Sequence, residues 1–310
     1  MLRCSSLCRN MGLGDAYVKK VFDKVASKYD FMNDVLSLGV HRVWKRHFVQ
    51  ECVRPRPGGK FLDVAGGTGD IAFRIIDEIR GVEKYYGLAP AATNDNNTNT
   101  ESFKNRTEVT VLDINESMLR EGEERARREG YNEINWIVGS GEALPFDDMR
   151  FDSYTVSFGI RNFSDRPKAL QEAYRVLKVG GVLNILEFSK VTCPFLSLPY
   201  DVWSYGFIPQ AGRMLADQES YQYLVDSIRA FPDQETFAEM IREAGFGYVR
   251  YENLSGGIAC IHTAVKVDAV RARQTQQDLK DVLKEKKEEE EVVEGEKEGS
   301  LAERVEKKPV

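Results

Sequence analysis

The chain has 310 residues, of which 42% are hydrophobic, and this is enough for one large domain or two small ones. A net charge of −6 without a basic stripe argues against a nucleic-acid partner, and no apolar run is long enough to span a membrane. Five scattered cysteines without a CxxC pair and three histidines without HxxxH spacing argue against a disulfide framework and a metal site.

The first 14 residues, MLRCSSLCRNMGLG, contain two arginines, two serines and no acidic residue. This composition is typical of an organelle transit segment, although a plain disordered start fits it equally well. After it, residues 15–53 have apolar side chains at helical spacing, beginning with Val18, Val21, Phe22 and Val25. The Pro- and Gly-rich segment at 54–59 then predicts a break.

An apolar strand with the sequence KFLDVA follows, and it runs into the glycine turn GGTGD and a helix that reaches about Arg80. Residues 87–107 are polar, rich in Asn and Thr and without periodicity, which predicts a surface insertion. Strands and helices then alternate. The predicted elements are a strand at 108–112, a helix at 115–129, strands at 134–138 and 152–158, a helix at 165–177 and a strand at 181–188. This alternation predicts an α/β fold with a parallel sheet covered on both faces.

Residues 194–231 are aromatic and irregularly helical in pattern, and a helix is predicted at 233–244. Two last strands, at 247–253 and 257–266, are joined by a segment short enough for a hairpin, so the final strand should be antiparallel to its neighbour. Residues 268–310 are dense in Lys and Glu, which predicts a charged tail that is helical or disordered. The main domain is therefore expected at 15–267.

The turn after the first strand fits the pattern G-x-G-x-x-G/A, with Gly67, Gly69 and Ala72 at its fixed positions and Thr68 between the glycines. Glycines allow the backbone to approach a ligand at a helix N-terminus. The pattern alone fits NAD, FAD or the amino-acid end of S-adenosylmethionine (SAM).

Two carboxylates help to choose between these ligands. Asp63 lies in the last part of the first strand, where it would repel a pyrophosphate but could pair with an ammonium group or order the loop. Asp113 follows the second strand, where an acid can accept both ribose hydroxyls, although a helix N-cap is an alternative for it. The loop that starts at Ser140 and Gly141 would meet the adenine edge. Together these residues favour a methyltransferase.

Two distant stretches match signature patterns of one family: YDFMNDVLSLGVHRVW at 29–44 and RVLKVGGVLNILEFS at 175–189. The chain resembles the ubiquinone/menaquinone C-methyltransferase family, whose members use SAM to methylate a ring carbon of a prenylated benzoquinol or naphthoquinol. The segments LDVAGGTGD, FGIRN and SYQYLVDSIRAFP look like its mitochondrial ubiquinone branch, where a polar insertion also occurs. The resemblance covers about residues 17–266 and departs at Val179, where Pro is commoner.

The resemblance implies a class I SAM-dependent methyltransferase fold, which is Rossmann-like, with seven strands of which only the last is antiparallel. It also implies that Ser157 contacts the cofactor and that Arg161 and Asn162 face the quinol. Arginine is not an ordinary base because its pKa exceeds about 12, so Arg161 is expected to hold a developing phenolate, directly or through water. The alternative for Arg161 is a salt bridge to a carboxylate such as Asp165.

The first signature is expected to form a lid over the cofactor. Tyr29 would close on SAM or on the ring, and Asn33 would bond to nearby backbone. His41 is a second candidate for the base, since its unperturbed pKa of about 6.5 suits proton transfer. The alternative for His41 and Trp44 is ordinary packing. The aromatic region 194–231 is the expected site for the ring and its prenyl tail.

The leading interpretation is C-methylation of 2-methoxy-6-polyprenyl-1,4-benzoquinol in ubiquinone biosynthesis. The alternatives are the same chemistry on demethylmenaquinol, a nucleotide-dependent oxidoreductase, and a scaffold that binds SAM. The resemblance also implies a peripheral protein on the matrix side of the mitochondrial inner membrane, associated with other ubiquinone-biosynthesis enzymes, and a homodimer is one expected assembly.

Overall fold

The structure of the chain is a computed structural model that describes residue 37 and residues 39–87, 107–193 and 218–268. The helices are α1 (Val40–His47), α2 (Asp70–Tyr85), α3 (Glu116–Glu129), α4 (Arg166–Val176), α5 (Gln218–Ala230) and α6 (Gln234–Glu243). The strands are β1 (Lys60–Val64), β2 (Glu108–Asp113), β3 (Ile134–Val138), β4 (Phe151–Ser157), β5 (Leu177–Phe188), β6 (Phe246–Leu254) and β7 (Ala259–Lys266). A π-helix, Phe48–Val53, and two 3₁₀ turns, Ile160–Asn162 and Ser255–Gly257, complete the described elements.

The seven strands form one sheet in the order β3-β2-β1-β4-β5-β7-β6. Strands β1 to β5 pair in parallel, and β7 is antiparallel to both β5 and β6. The predicted fold is therefore confirmed, including the antiparallel last strand. The strand order reverses between β1 and β4, which is where open α/β sheets bind their ligands.

The central strands are apolar because both faces of the sheet are covered. All but the first residue of β1 are buried, and so are the four central residues of β2. One core cluster joins the sheet to α2, α3 and the π-helix, and a second joins it to α4 and α6. Because helices cover both faces of the sheet, a ligand can reach it at the carboxyl ends of the strands.

Three polar side chains fix where helices begin. Asn115 accepts a hydrogen bond from the backbone of Met118 at the start of α3, and Asp165 does the same for Lys168 at the start of α4. Asp233 caps α6 in the same way. The N-cap alternative for Asp113 is therefore wrong, since Asn115 occupies that position.

Several element boundaries differ from those that the sequence predicted. Helix α2 continues to Tyr85, and β5 begins at Leu177 rather than at 181, with an irregular pairing to β4 around Ser153. The N-terminal helical pattern continues as a π-helix instead of a regular α-helix. The predicted insertion, most of the aromatic region and the tail after 268 lie outside the described residues.

Candidate active site

A cavity lies at the carboxyl ends of β1, β2 and β4, beside the reversal in strand order. Its lining consists of Lys45 and of residues 63–68, 70–71, 112–115, 118, 139–142, 157–159 and 162–163. Seven of the eight predicted cofactor residues line it, and so does Asn162. The seven are Asp63, Gly67, Thr68, Asp113, Ser140, Gly141 and Ser157; the predicted Gly69 is not part of the lining. The seven residues therefore lie together, and their role in binding a cofactor stays a prediction.

The turn between β1 and α2 depends on glycine. Gly67 and Gly69 have φ of +55° and +82°, in the region that disfavours side chains. A Cβ on Gly69 would lie 2.5 Å from the Trp136 ring, and one on Gly66 would lie 2.7 Å from a carboxylate oxygen of Asp63. Gly69 packs against Trp136 behind the turn, so its role is to bring the turn close to α3 and β3.

Asp113 joins the ends of two strands. Its Oδ2 accepts a hydrogen bond of 2.9 Å from the Gly67 backbone, and its Oδ1 accepts one of 2.8 Å from the Asn115 backbone. Burial raises the pKa of Asp113, and these backbone N–H groups oppose the rise. The carboxylate thus holds the glycine turn against β2 at the position predicted for the ribose.

Asp63 is completely buried in the cavity wall. Its Oδ1 accepts a hydrogen bond of 2.8 Å from the Thr155 hydroxyl, while its Oδ2 has no partner among the described residues. Burial raises the pKa of Asp63 to about 7, and the bond from Thr155 and the charge of Lys45 limit the rise. A buried carboxylate oxygen of this kind suits a cationic donor.

Two further loops complete this side of the cavity. The Ser157 hydroxyl, at the end of β4, is buried without a hydrogen-bond partner among the described residues. In the loop after β3, Ser140 accepts a hydrogen bond of 3.2 Å from the Glu142 backbone. A Cβ on Gly141 would lie 2.8 Å from the Phe163 ring, so glycine allows this loop to pack against the residue that follows the 3₁₀ turn Ile160–Asn162.

Arg161 does not line the cavity, because its side chain is buried behind the wall and only 4% exposed. Its Nη1 lies 2.8 Å from Oε1 of Glu187, whose side chain is 1% exposed, and also donates to the carbonyl of Phe158. The Arg161 backbone N–H donates to the other oxygen of Glu187. The alternative for Arg161, a salt bridge to a carboxylate, is therefore confirmed, but the partner is Glu187 on β5. Asp165, which was the expected example, caps α4 instead.

Asn162 lies on the cavity side of the same 3₁₀ turn. Its Oδ1 accepts a hydrogen bond of 3.0 Å from the hydroxyl of Tyr223 on α5. This contact brings one member of the predicted aromatic region to the cavity wall. Among the described residues the amide nitrogen of Asn162 makes no hydrogen bond, so it is available to a ligand.

The first signature is only partly described, and Tyr29 and Asn33 lie outside the described residues. His41 is buried on α1 with its Nδ1 2.7 Å from the Ser37 hydroxyl, and it does not line the cavity. Trp44 donates a hydrogen bond of 3.0 Å from Nε1 to the Ser255 hydroxyl and packs against Phe158 and Phe188. Packing, the alternative for Trp44, is therefore what the structure shows.

Sequence reasoning missed Lys45 and Asp70. The Lys45 Nζ lies 2.9 Å from Oδ2 of Asp70, and both residues line the cavity. Asp70 was discoverable, since it is the first residue of the helix after the glycine turn. Lys45 is one basic residue among several in the polar pattern of α1, and nothing local distinguishes it.

One cluster of potential metal ligands occurs among the described residues. The ligand atoms of His47, Cys52 and Glu252 lie within 4.8 Å of one another. These residues do not line the cavity, and Glu252 already contacts His47 at 2.9 Å. The predicted absence of a metal in the site stays a prediction.

The sequence model of the ubiE/COQ5 methyltransferase family matches residues 10–266. The chain belongs to this family. It is 71% identical over 266 residues to the Leishmania donovani protein named "2-methoxy-6-polyprenyl-1,4-benzoquinol methylase, mitochondrial", an alignment that covers 86% of this chain and 88% of that one. It is 50% identical over 252 residues to the "Ubiquinone/menaquinone biosynthesis C-methyltransferase UbiE" of Cereibacter sphaeroides, with 81% and 90% covered.

Among solved structures, the [4+2]-cyclase SpnF superposes with a TM-score of 0.54 over 81% of this chain and 95% of that one, at 16% identity. That likeness shows the fold. As a member of the ubiE/COQ5 methyltransferase family, the chain is a SAM-dependent methyltransferase. The cavity fits the cofactor, since Asp63 and Ser157 each have a buried oxygen without a partner among the described residues, and both lie beside the glycine turn and Asp113.

Proposed function

We propose that this methyltransferase transfers the methyl group of SAM to a ring carbon of 2-methoxy-6-polyprenyl-1,4-benzoquinol in coenzyme Q biosynthesis. The observation that carries the proposal is the 71% identity, over 86% of this chain and 88% of the other, to a protein named for that substrate. The cavity described above supplies the matching groups on the cofactor side.

When bound, SAM supplies an activated methyl group together with its leaving group, so the protein's task is to position and to activate the acceptor. The glycine turn and Thr68 contact the cofactor through the backbone, and Asp113 accepts the ribose hydroxyls. Ser157 donates its free hydroxyl at the end of β4. Ser140 and Gly141 border the adenine.

A quinol carbon becomes strongly nucleophilic when the neighbouring hydroxyl loses its proton, so a group that stabilises the phenolate promotes the reaction. We assign this contact to the amide nitrogen of Asn162, which lies on the cavity wall while its oxygen is held by Tyr223. Arg161 acts through the turn that carries Asn162: its bonds to Glu187 and to the Phe158 carbonyl fix that turn. We further propose that Tyr29 closes the site and that His41 is the candidate for accepting the proton.

The second candidate substrate is demethylmenaquinol, because the bacterial relative at 50% identity is named for both ubiquinone and menaquinone. Membership of a methyltransferase family overturns the alternative of a nucleotide-dependent oxidoreductase. A scaffold that binds SAM without catalysis is disfavoured because the cavity wall also carries Asn162, which is assigned to the quinol and not to the cofactor.

The test incubates the full chain and SAM with a short-prenyl 2-methoxy-6-prenyl-benzoquinol, kept reduced, beside demethylmenaquinol, and measures products by mass spectrometry. We expect one methyl group on the benzoquinol, strongly reduced product with Asn162→Ala, and unchanged product with Arg120→Ala. Arg120 is a matched control, because its ion pair with Glu116 is exposed. Product only from the naphthoquinol would move the protein to menaquinone synthesis, and no product from either while SAM binds would favour the scaffold.

We also propose that the protein works in the mitochondrion, on the matrix side of the inner membrane, with other ubiquinone-biosynthesis enzymes and as a homodimer. Relatives that are named mitochondrial support the compartment. No helix in the described ranges is long and apolar enough to cross a membrane. Carbonate extraction of purified mitochondria should release the protein, and its retention with integral proteins would contradict a peripheral attachment.

A further inference from the structure

Lys45 is a buried positive charge in an acidic cavity. Its side chain is 7% exposed, and it comes from α1, outside the sheet that supplies most of the lining. Among the described residues that line the cavity, four are carboxylic acids (Asp63, Asp70, Asp113 and Glu142) and Lys45 alone is a lysine or arginine. Burying an ammonium group is costly unless it is paired, so Lys45 needs an anionic partner at the cavity.

Asp70 is one anionic partner of Lys45. Its Oδ2 lies 2.9 Å from the Lys45 Nζ, and its Oδ1 lies 3.3 Å from Nε of Arg74. Burial alone would raise the pKa of Asp70, but Lys45 and Arg74 outweigh burial and lower the pKa to about 2. Asp70 is thus an anion with two cationic partners, and it does not need Lys45 alone to neutralise it.

The cofactor supplies the matching anion. Its amino-acid end is a zwitterion with an α-ammonium and an α-carboxylate group. Asp63 offers the ammonium a buried oxygen that has no partner among the described residues, and the charge of Lys45 acts on Asp63. The first residues of α2, Asp70 and Ile71, also line the cavity, and the N-terminus of a helix favours an anion.

We propose that Lys45 binds the α-carboxylate of SAM, opposite Asp63, and makes the site selective for cofactors that carry this carboxylate. Asp70 holds the Lys45 side chain in the cavity wall and keeps it directed at the glycine turn. A helix that precedes the sheet thereby completes the cofactor site. The inference concerns the cofactor alone, so it stands or falls independently of the quinol proposed above.

The test is calorimetric titration of the full chain, without quinol, with SAM and with decarboxylated SAM, which lacks only the carboxylate. The wild type should bind SAM more tightly than the decarboxylated compound. Lys45→Met should weaken SAM binding by about 10- to 100-fold, the range for a hydrogen bond to a charged group, and leave the decarboxylated compound nearly unchanged. Lys45→Arg should retain most of the preference.

Arg74→Met is the matched control, because Arg74 contacts the same carboxylate but does not line the cavity. It should preserve the preference for SAM. Should Lys45→Met fail to fold, Lys45→Gln keeps a hydrogen-bond donor for Asp70 and carries the same expectation. If the Lys45 variants lost affinity equally for SAM and for decarboxylated SAM, Lys45 would have only a structural role and the proposal would be wrong. Unchanged SAM binding, or a wild type without preference, would overturn the proposal directly.

Discussion

The two walls of the cavity are built in different ways. The wall formed by β1, β2 and the glycine turn presents groups that are free to bind, such as the second oxygen of Asp63. The wall after β4 is held from behind by a buried ion pair between Arg161 and Glu187, and its polar side chain Asn162 is already held by Tyr223. The first wall carries a buried polar atom without a partner among the described residues, whereas the second fixes the direction of one amide.

The largest effect is expected where the second wall is broken. Glu187→Gln leaves the Arg161 charge buried without its partner, and the loss should be about 3–5 kcal/mol in the free energy of unfolding. Urea denaturation measures it. Glu116→Gln, which removes an exposed partner of Arg120, should cost less than about 1 kcal/mol.

A double variant separates the effect of the ion pair on stability from its effect on methyl transfer. Arg161→Met with Glu187→Leu replaces the pair by apolar side chains, so it should recover much of the stability lost in Glu187→Gln. It should not recover methyl transfer, because the turn that carries Asn162 loses its bonds to Glu187. Recovery of both properties would show that the ion pair is irrelevant to the site.

The close packing of the first wall is tested by comparing alanine substitutions at two glycines of equal conformation. Gly69 and Gly130 both have φ of +82°, but only at Gly69 would a Cβ meet another group, the Trp136 ring at 2.5 Å. Gly130→Ala should therefore cost about 1 kcal/mol of strain, and Gly69→Ala should cost an additional 1–3 kcal/mol and weaken SAM binding. Equal costs in denaturation experiments would contradict the close packing of the turn.

A pH effect is expected from Asp63. Its pKa of about 7 in the folded protein exceeds the unfolded value of about 3.9, so ionisation destabilises the fold as the pH rises from about 4 to 7. Asp63→Asn removes this penalty. The stability of the variant relative to wild type should rise with pH by up to about 1.4 kcal/mol per unit, and then level above pH 7. A difference independent of pH would show that Asp63 titrates normally.

The smallest effect concerns the attachment of α1. Ser255→Ala removes the acceptor of the Trp44 N–H and should cost about 1 kcal/mol. In a Trp44→Phe background the same change should cost almost nothing. Thermal unfolding of the two single variants and the double variant measures the coupling, and additive losses would contradict the hydrogen bond.

The first wall was predictable because its signals are local. Asp63 and Asp113 lie at the carboxyl ends of β1 and β2, and the glycine turn follows β1. Parallel strands end at one edge of a sheet, so their meeting was expected. The second wall depends on distant partners. Arg161 pairs with Glu187, 26 positions away, and not with the nearby Asp165. Asn162 accepts a hydrogen bond from Tyr223, 61 positions away. Spacing along the chain carries no signal for such pairs, and the same holds for Lys45, which reaches the cavity from a helix outside the sheet.

Methyl transfer to a ring carbon is tested most directly with SAM labelled with ¹³C in its methyl group, the full chain and the reduced 2-methoxy-6-prenyl-benzoquinol. NMR of the product identifies the atom that receives the label. We expect a labelled methyl group bonded to a ring carbon. A label on a quinol oxygen, or an unlabelled quinol in the presence of bound SAM, would contradict it.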